Sequence, residues 1–231
     1  AVCWKTCHWR KRPPCSNSWA EPMQYSLLAA DTGTDGEQLS LPGAELRYYP
    51  DFYSHALCAD YQHQLLRDIP WQQDTLSFAG KPVPVPRLQS WHGDSHSHYG
   101  YSGLKLVPQA WTPLLSRIRT DLQSRLQLPF NSVLLNWYRN GNDSVAWHSD
   151  DEPELGPDPQ IASLSFGIAR RFDLKHRTLP QQPKFSIELG DGSLLLMGPG
   201  VQQHYLHQIP KQAGVTGTRL NLTFRFVHAM A

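Results

Sequence analysis

A chain of 231 residues with 18% charged residues, 11% aromatics and 8 tryptophans has material for one packed domain, or one domain with an appendage. Mean hydropathy is −0.48 and no apolar run approaches the roughly 18–20 residues that span a bilayer, so no membrane association is expected. A net charge of +1 excludes a globally basic nucleic-acid binder and leaves such contact to a local patch.

The first residues follow no helical or strand period. Cys3, Cys7 and Cys15 crowd this tail and only Cys58 lies in the body. A disulfide-stapled secreted fold spreads its cysteines, so a reducing compartment is expected, and no apolar signal-peptide segment is present. Two readings of the tail stand side by side. Cys3, Cys7, His8 and Cys15 could form a small zinc knuckle. Alternatively the tail is unstructured and precedes a start at Met23, and without Lys5, Arg10, Lys11, Arg12 and Glu21 the net charge falls from +1 to −2. Zinc content of the full chain against one starting at Met23 separates them. Residues 1–40 are expected to be a disordered extension and 41–231 the folded domain. Residues 20–45, rich in Gly, Asp, Thr and Ser, read as a linker ahead of the compact segment ELRYYPDFYS.

Ser54 is a candidate N-cap, and Leu57, Tyr61 and Leu65 recur every four residues, predicting a helix to about Asp68. A second helix opens at Thr112-Pro113, with proline at its favoured first position. Its apolar stripe is Leu114/Leu115, Ile118, Leu122 and Leu126. Between the helices, residues 70–108 are Pro-, Ser- and aromatic-rich and read as extended. From Phe130 onward NSVLLNWYR, IASLSFGIARRFDLKH, KFSIELGDGSLLLMG and RLNLTFRFV read as strands, and Gly190-Asp191-Gly192 as a hairpin turn between two of them. Many short strands behind two helices predict an antiparallel barrel or double-sheet jelly roll, mostly β with flanking helices.

The two-residue period of the last strand places Leu220, Leu222, Phe224 and Phe226 on one face and Arg219, Asn221, Thr223 and Arg225 on the other. Arg219 and Arg225, separated by about 20 Å of strand, can still converge through long side chains on one small dianion, for which the planar guanidinium fork is suited. A solvated face with incidental arginines is the plainer alternative. Asn136 and Tyr138 share another strand face and offer neutral donors. His148 and Asp150, two apart on an extended segment, point to one side. With a second imidazole they would make the two-histidine, one-carboxylate facial triad of non-haem iron(II) oxygenases. His207 and His204 both compete for that place. His55, His63, His176 and His228 show no ligand spacing, and His92, His96 and His98 read as a solvated loop.

In chain order come PRLQSW (86–91), YGYSG (99–103), Asn136 with Tyr138, WHSDDE (147–152), IASLSFG (161–167), GSLLLM (192–197), HQIP (207–210) and RLNLTFR (219–225). Over residues 44–228 the sequence resembles the AlkB family of iron(II)/2-oxoglutarate dioxygenases, in particular its bacterial and DNA-repair branch. The resemblance implies a double-stranded β-helix fold and iron held by His148, Asp150 and His207, so HQIP favours His207 over His204. It implies 2-oxoglutarate held by Asn136, Tyr138, Arg219, Asn221, Thr223 and Arg225, with O2 as co-reactant. The implied reaction hydroxylates an N-methyl group of a damaged base, which then loses formaldehyde, while 2-oxoglutarate becomes succinate.

On the substrate side, Trp91, Tyr99 and Tyr101 are candidates to grip an extruded base, or else packing residues. Asp151 and Glu152 are candidate partners of a base amino group or a methylated cationic ring, or else exposed loop acids. Arg87 and Gln89 fall in the segment expected to form the substrate lid. Phe78, in FAGK (78–81), is a candidate wedge on a hairpin that enters the base stack. Expected lesions are of the 1-methyladenine and 3-methylcytosine type in DNA. RNA, protein or small-molecule substrates are the alternative, and a non-catalytic barrel is the remote one. The protein is expected to act as a monomer, in the cytoplasm of a bacterium or the nucleus of a eukaryote.

Overall fold

The computed structural model describes residues 36–78, 80–95, 97, 99–101, 104–106 and 108–228, with the strand assignment alone for 78, 99–101 and 104–106. Cys3, Cys7, His8, Cys15, His96 and His98 lie outside the described residues.

Described structure begins with a hairpin of β1 (Glu37–Leu41) and β2 (Ala44–Tyr49), turning at Pro42-Gly43. This corrects the linker reading from residue 37 to 45, and the extension reading from 37 to 40; residues 20–35 lie outside the described residues. Leu39 and Leu41 alternate with polar residues, and Leu41 is buried in the core between the sheets. Helix α1 (His55–Asp68) follows Ser54, whose hydroxyl makes no capping bond. Then come β3 (Thr75–Phe78), β4 (Lys81–Pro84), β5 (Leu88–Gly93), β6 (Tyr99–Tyr101) and β7 (Leu104–Leu106). Helix α2 (Pro113–Leu126) starts where expected, with the Thr112 hydroxyl accepting from the Leu115 amide at 3.2 Å. The remainder is β8 (Ser132–Tyr138), β9 (Val145–His148), β10 (Ile161–Gly167), β11 (Arg170–His176), β12 (Phe185–Leu189), β13 (Leu194–Met197), the one-turn α3 (Val201–His204), β14 (Tyr205–Ile209) and β15 (Arg219–Arg225).

The strands form a seven-stranded sheet in the order β1-β2-β13-β10-β15-β8-β5 and a four-stranded sheet in the order β12-β11-β14-β9, antiparallel throughout. Two small hairpins, β3-β4 and β6-β7, complete the described strands. This is the expected jelly roll backed by helices. Residues 190–192 do not make the expected hairpin turn. Strand β12 pairs with β11 in the small sheet and β13 with β10 and β2 in the large one, so the segment crosses between sheets. Gly192 has φ +72° and its amide donates to the Ser165 carbonyl at 2.9 Å.

Alternation along the large-sheet strands builds two cores. Val133 and Leu135 of β8, Leu164 and Phe166 of β10, and Leu220, Leu222 and Phe224 of β15 pack on Tyr61 and Leu65 of α1 and on Leu115, Ile118 and Leu122 of α2. Fully burying each such side chain contributes about 1.5–3 kcal/mol. Opposite faces of the same strands turn towards the small sheet, where Leu195, Met197, Phe172, Leu174 and Ile209 form the second core. Phe226, expected on the apolar face of β15, lies beyond the strand end, 38% exposed and edge-on to His228.

Candidate metal centre and cosubstrate pocket

The inward polar residues of β8, β10 and β15 and the small-sheet strands β9, β11 and β14 enclose a pocket of about 520 Å³ including its mouth. Strand β9 is the edge of the small sheet, and its register with β14 sets His148 directly opposite His207. Their ring centroids are 4.2 Å apart. Asp150 follows β9 and turns inward, 2% exposed. One ligand atom from each of His148, Asp150 and His207 lies within 4.8 Å of the others. His148 Nδ1 sits 2.8 Å from the Ala146 carbonyl, which can only accept, so Nε2 carries the free lone pair, 3.7 Å from Asp150 Oδ1.

Protonation suits a cation. Burial, reinforced by the His148 and Arg225 charges, lowers His207 to about 3, and burial also lowers His148. Both imidazoles are therefore neutral at pH 7. Burial pushes the Asp150 carboxyl up, but charge nearby, that of Arg225 foremost, holds it below its ordinary value and ionised. Arg225 donates to Asp150 Oδ2 from Nη2 at 2.6 Å and from Nε at 3.2 Å. The Asp150 amide donates to Gln202 Oε1 at 2.9 Å. Among the described residues the buried His207 Nδ1 has no hydrogen-bond partner, and the ring stacks on Phe172 with centroids 5.3 Å apart. Two neutral imidazoles and a held carboxylate fit a divalent transition metal.

Beyond Asp150 the pocket becomes an anion receptor. Arg219 is 1% exposed, with Nη2 donating to Ser165 Oγ at 2.9 Å and Tyr138 beside it; among the described residues its buried Nε and Nη1 lack a well-formed hydrogen bond. Unpaired buried guanidinium donors are costly unless a ligand carboxylate completes them. Asn136 Oδ1 accepts from Arg87 Nε at 2.7 Å and from Gln89 Nε2 at 3.1 Å, which leaves its Nδ2 as donor to the pocket. Asn221 Nδ2 donates to Ser163 Oγ at 2.9 Å, and Thr223 Oγ1 donates to Asn221 Oδ1 at 3.1 Å. Both arginines of β15 line this one pocket: Arg225 also secures Asp150, and Arg219 faces Tyr138.

Residues 45–225 match the sequence profile of the 2OG-Fe(II) oxygenase superfamily. The chain belongs to this superfamily. Fe(II), 2-oxoglutarate and O2 are the cofactors that membership implies, and the neutral imidazoles, the ionised carboxylate and the unpaired Arg219 donors fit the first two. Among relatives, the alpha-ketoglutarate-dependent dioxygenase alkB homolog 3 of Mus musculus is 37% identical over 188 residues, covering 78% of this chain and 65% of the relative. The DNA oxidative demethylase ALKBH2 of Mus musculus is 41% identical over 152 residues, covering 63% and 64%. The chain spans a little under two thirds of the length of these relatives. A solved 2OG-Fe(II) oxygenase family oxidoreductase from Burkholderia pseudomallei shares the fold at TM-score 0.53 and 11% identity, covering 80% of this chain and 87% of that one.

Within this oxygenase, the remaining expected site residues separate. His204 stays outside the pocket and stacks on His176, centroids 6.0 Å apart. Arg87 and Gln89 are buried and donate to Asn136, so neither stands open to solvent as a lid residue, and Arg87 lines the pocket. Trp91 is 4% exposed and packs with Leu134, Leu155 and Val227. His92, expected on a solvated loop, is buried on β5 between Ser90 Oγ at 3.1 Å and the Ala110 carbonyl at 2.8 Å. Asp151 is half exposed and accepts from Arg177 Nη2 at 2.6 Å. Glu152 is partly exposed ahead of the 3-10 turn Pro153–Leu155. Tyr99 and Tyr101 lie on β6 and Phe78 at the end of β3, opposite Lys81 beside the hairpin turn; their side chains lie outside the described residues.

Three contributors carry no sequence pattern that sets them apart. Gln202 supports Asp150, Arg177 ties Asp151 to Ser149 Oγ at 2.8 Å, and Arg170 lies beneath Tyr138. Each acts on a residue distant in the chain, and no period of two or 3.6 marks that.

Proposed function

We propose that this protein is an Fe(II)- and 2-oxoglutarate-dependent demethylase of N-alkylated bases in DNA, of the 1-methyladenine and 3-methylcytosine type. The carrying observation is the joint placement of the His148/Asp150/His207 cluster and the unpaired Arg219 donors in one buried pocket. When bound, the iron, O2 and 2-oxoglutarate supply the oxidising power that turns N-methyl into N-hydroxymethyl, with CO2 and succinate as co-products. The hydroxymethyl group then leaves as formaldehyde and restores the N–H of the base.

The chain's own residues do the rest. His148, Asp150 and His207 hold the metal, and Arg225 and Gln202 hold Asp150. Arg219, with Tyr138 and Asn136, takes the remote carboxylate of 2-oxoglutarate, and Asn221 and Thr223 shape the wall between. Asp151, anchored by Arg177, and Glu152 stand just beyond the metal ligand, where a carboxylate favours a cationic methylated ring. Tyr99 and Tyr101 on β6 grip the extruded base, and Phe78 at the β3–β4 turn enters the stack. The names of relatives described as DNA oxidative demethylases support DNA over RNA. The domain is assigned to residues 41–231 with the β1 hairpin joined to it, acting as a monomer.

The test is a panel of methylated single- and double-stranded DNA and RNA oligonucleotides, read by formaldehyde and succinate. Iron-dependent formaldehyde release from methylated DNA is expected. Turnover of 2-oxoglutarate with every methylated nucleic acid left intact overturns the proposal, and methylated RNA as the sole substrate redirects it.

A further inference from the structure

Arg170, on β11, is fully buried, but its guanidinium meets only neutral oxygens. Nε donates to Gln212 Oε1 at 3.0 Å, Nη1 to the Asn140 carbonyl at 3.1 Å, and Nη2 to the Asp143 and Pro210 carbonyls at 2.9 and 2.8 Å. Among the described residues it forms no ion pair. The adjacent acid, Asp143, is engaged by Arg139 through Nε at 2.7 Å, Nη2 at 2.9 Å and its own amide at 2.9 Å. The Arg170 guanidinium carbon lies 5.6 Å from the centroid of the Tyr138 ring, and that of Arg219 lies 5.2 Å from it. Arg139, Arg170 and Arg219 against Asp143 leave this end of the pocket with two surplus positive charges. A buried guanidinium without a counter-charge is unfavourable in isolation, because neutral dipoles do not replace an anion in a low dielectric.

We infer that Arg170 is a positioning residue for the cosubstrate, locking Tyr138 behind Arg219 and adding a second buried positive charge that the remote carboxylate of 2-oxoglutarate neutralises. The inference rests on the reading of the Arg219 end of the pocket as the 2-oxoglutarate site. Neutral contacts hold the Arg170 charge in place without an ion pair, and Asp143 offsets only part of it because Arg139 already engages that carboxylate. Burial lowers Arg219 to about 10; Tyr138 opposes the shift, and the Arg170 charge adds to it, as like charges in one dry site should. Bound carboxylate relieves both costs at once. Arg170 makes the pocket selective for a dicarboxylate over an oxoacid that lacks the second carboxyl.

The decisive variant leaves Arg170 in place. Gln212 Oε1 accepts from both Arg170 Nε and the Arg171 amide, at 3.0 and 2.9 Å. Gln212→Glu keeps both hydrogen bonds and adds a charge that cancels that of Arg170. Calorimetric binding to the full Fe(II)-loaded chain, without oxygen, compares 2-oxoglutarate with 2-oxopentanoate, which keeps the oxoacid end and lacks the remote carboxyl. Gln212→Glu is expected to weaken 2-oxoglutarate roughly tenfold, as one added charge at an effective dielectric near 20 implies, and 2-oxopentanoate by less than about twofold. Arg170→Met should lower the same selectivity ratio, and Arg170→Lys should retain part of it. Equal weakening of both acids, or an unchanged ratio in Gln212→Glu, overturns the inference and leaves Arg170 a packing residue. Should the unaltered protein itself bind both acids equally, the reading of the Arg219 pocket fails, separately from the role of Arg170.

Discussion

Most polar side chains around the cluster serve another residue before any ligand. Asp150 holds its place because Arg225 fixes its carboxylate and Gln202 its amide. Gln202→Leu leaves a buried N–H unpaired, a loss of about 1–3 kcal/mol, measurable as a lowered urea midpoint. Freed from that anchor, Asp150 should also hold Fe(II) about tenfold or more weakly, read by metal titration. His207 and His204 make a second contrast. Only His207 faces His148 across the sheet, whereas His204 stacks on His176 outside the pocket. His207→Ala should abolish 2-oxoglutarate turnover and His204→Ala should keep most of it, as a succinate assay will register. The HQIP motif pointed to this choice, but the cross-strand register supplies its reason.

Single elements were the most legible level. Helix α2 shows its cap, its proline and its stripe in sequence, because each is a relation among residues within four positions. The polar face of β15 was equally plain from alternation. What local pattern could not supply was the partner of each strand. Gly-Asp-Gly between two strands has the composition of a hairpin turn, yet β12 and β13 pair in different sheets. Gly192 serves that crossover: with φ +72°, a Cβ would sit 2.5 Å from the Tyr53 carbonyl oxygen and 2.6 Å from Cys58 Sγ. Gly192→Ala should therefore destabilise by about 1–3 kcal/mol, seen in chemical denaturation. The β1 strand escapes local pattern for the same reason. Its Gly- and Ser-rich surroundings hid a short Leu39/Leu41 alternation that only pairing with β2 makes a strand.

For the molecule as a whole, packing two sheets face to face buries histidines whose protonated forms the interior rejects. Burial lowers His92, His148 and His207, the last to about 3. A histidine lowered in the fold binds its proton more readily unfolded, so its contribution is present above the ordinary value near 6.5 and is lost as pH falls. The metal-free protein should accordingly lose stability steadily from about pH 6.5 downward, followed by urea midpoints at pH 7.5, 6 and 5. His92→Gln should flatten part of that slope, whereas bound metal should keep the part due to His148 and His207, because ligation holds both imidazoles unprotonated in the fold. A midpoint unchanged between pH 7.5 and 5 contradicts the burial argument.

The sequence by itself determined the two long helices, the strand faces and which side chains are candidate ligands, because spacing and side-chain type are local properties of the chain. It also carried the family, through motifs in fixed order. Only the tertiary structure decided that Arg225 serves Asp150 while Arg219 keeps open donors, that Arg87 and Gln89 brace Asn136, and that Trp91 and His92 are buried. It alone brought Arg170 under Tyr138 and Arg177 to Asp151. Those roles depend on which strands pair and in what register. That is set by the sum of many weak contacts across the two cores, and no short stretch of sequence contains it.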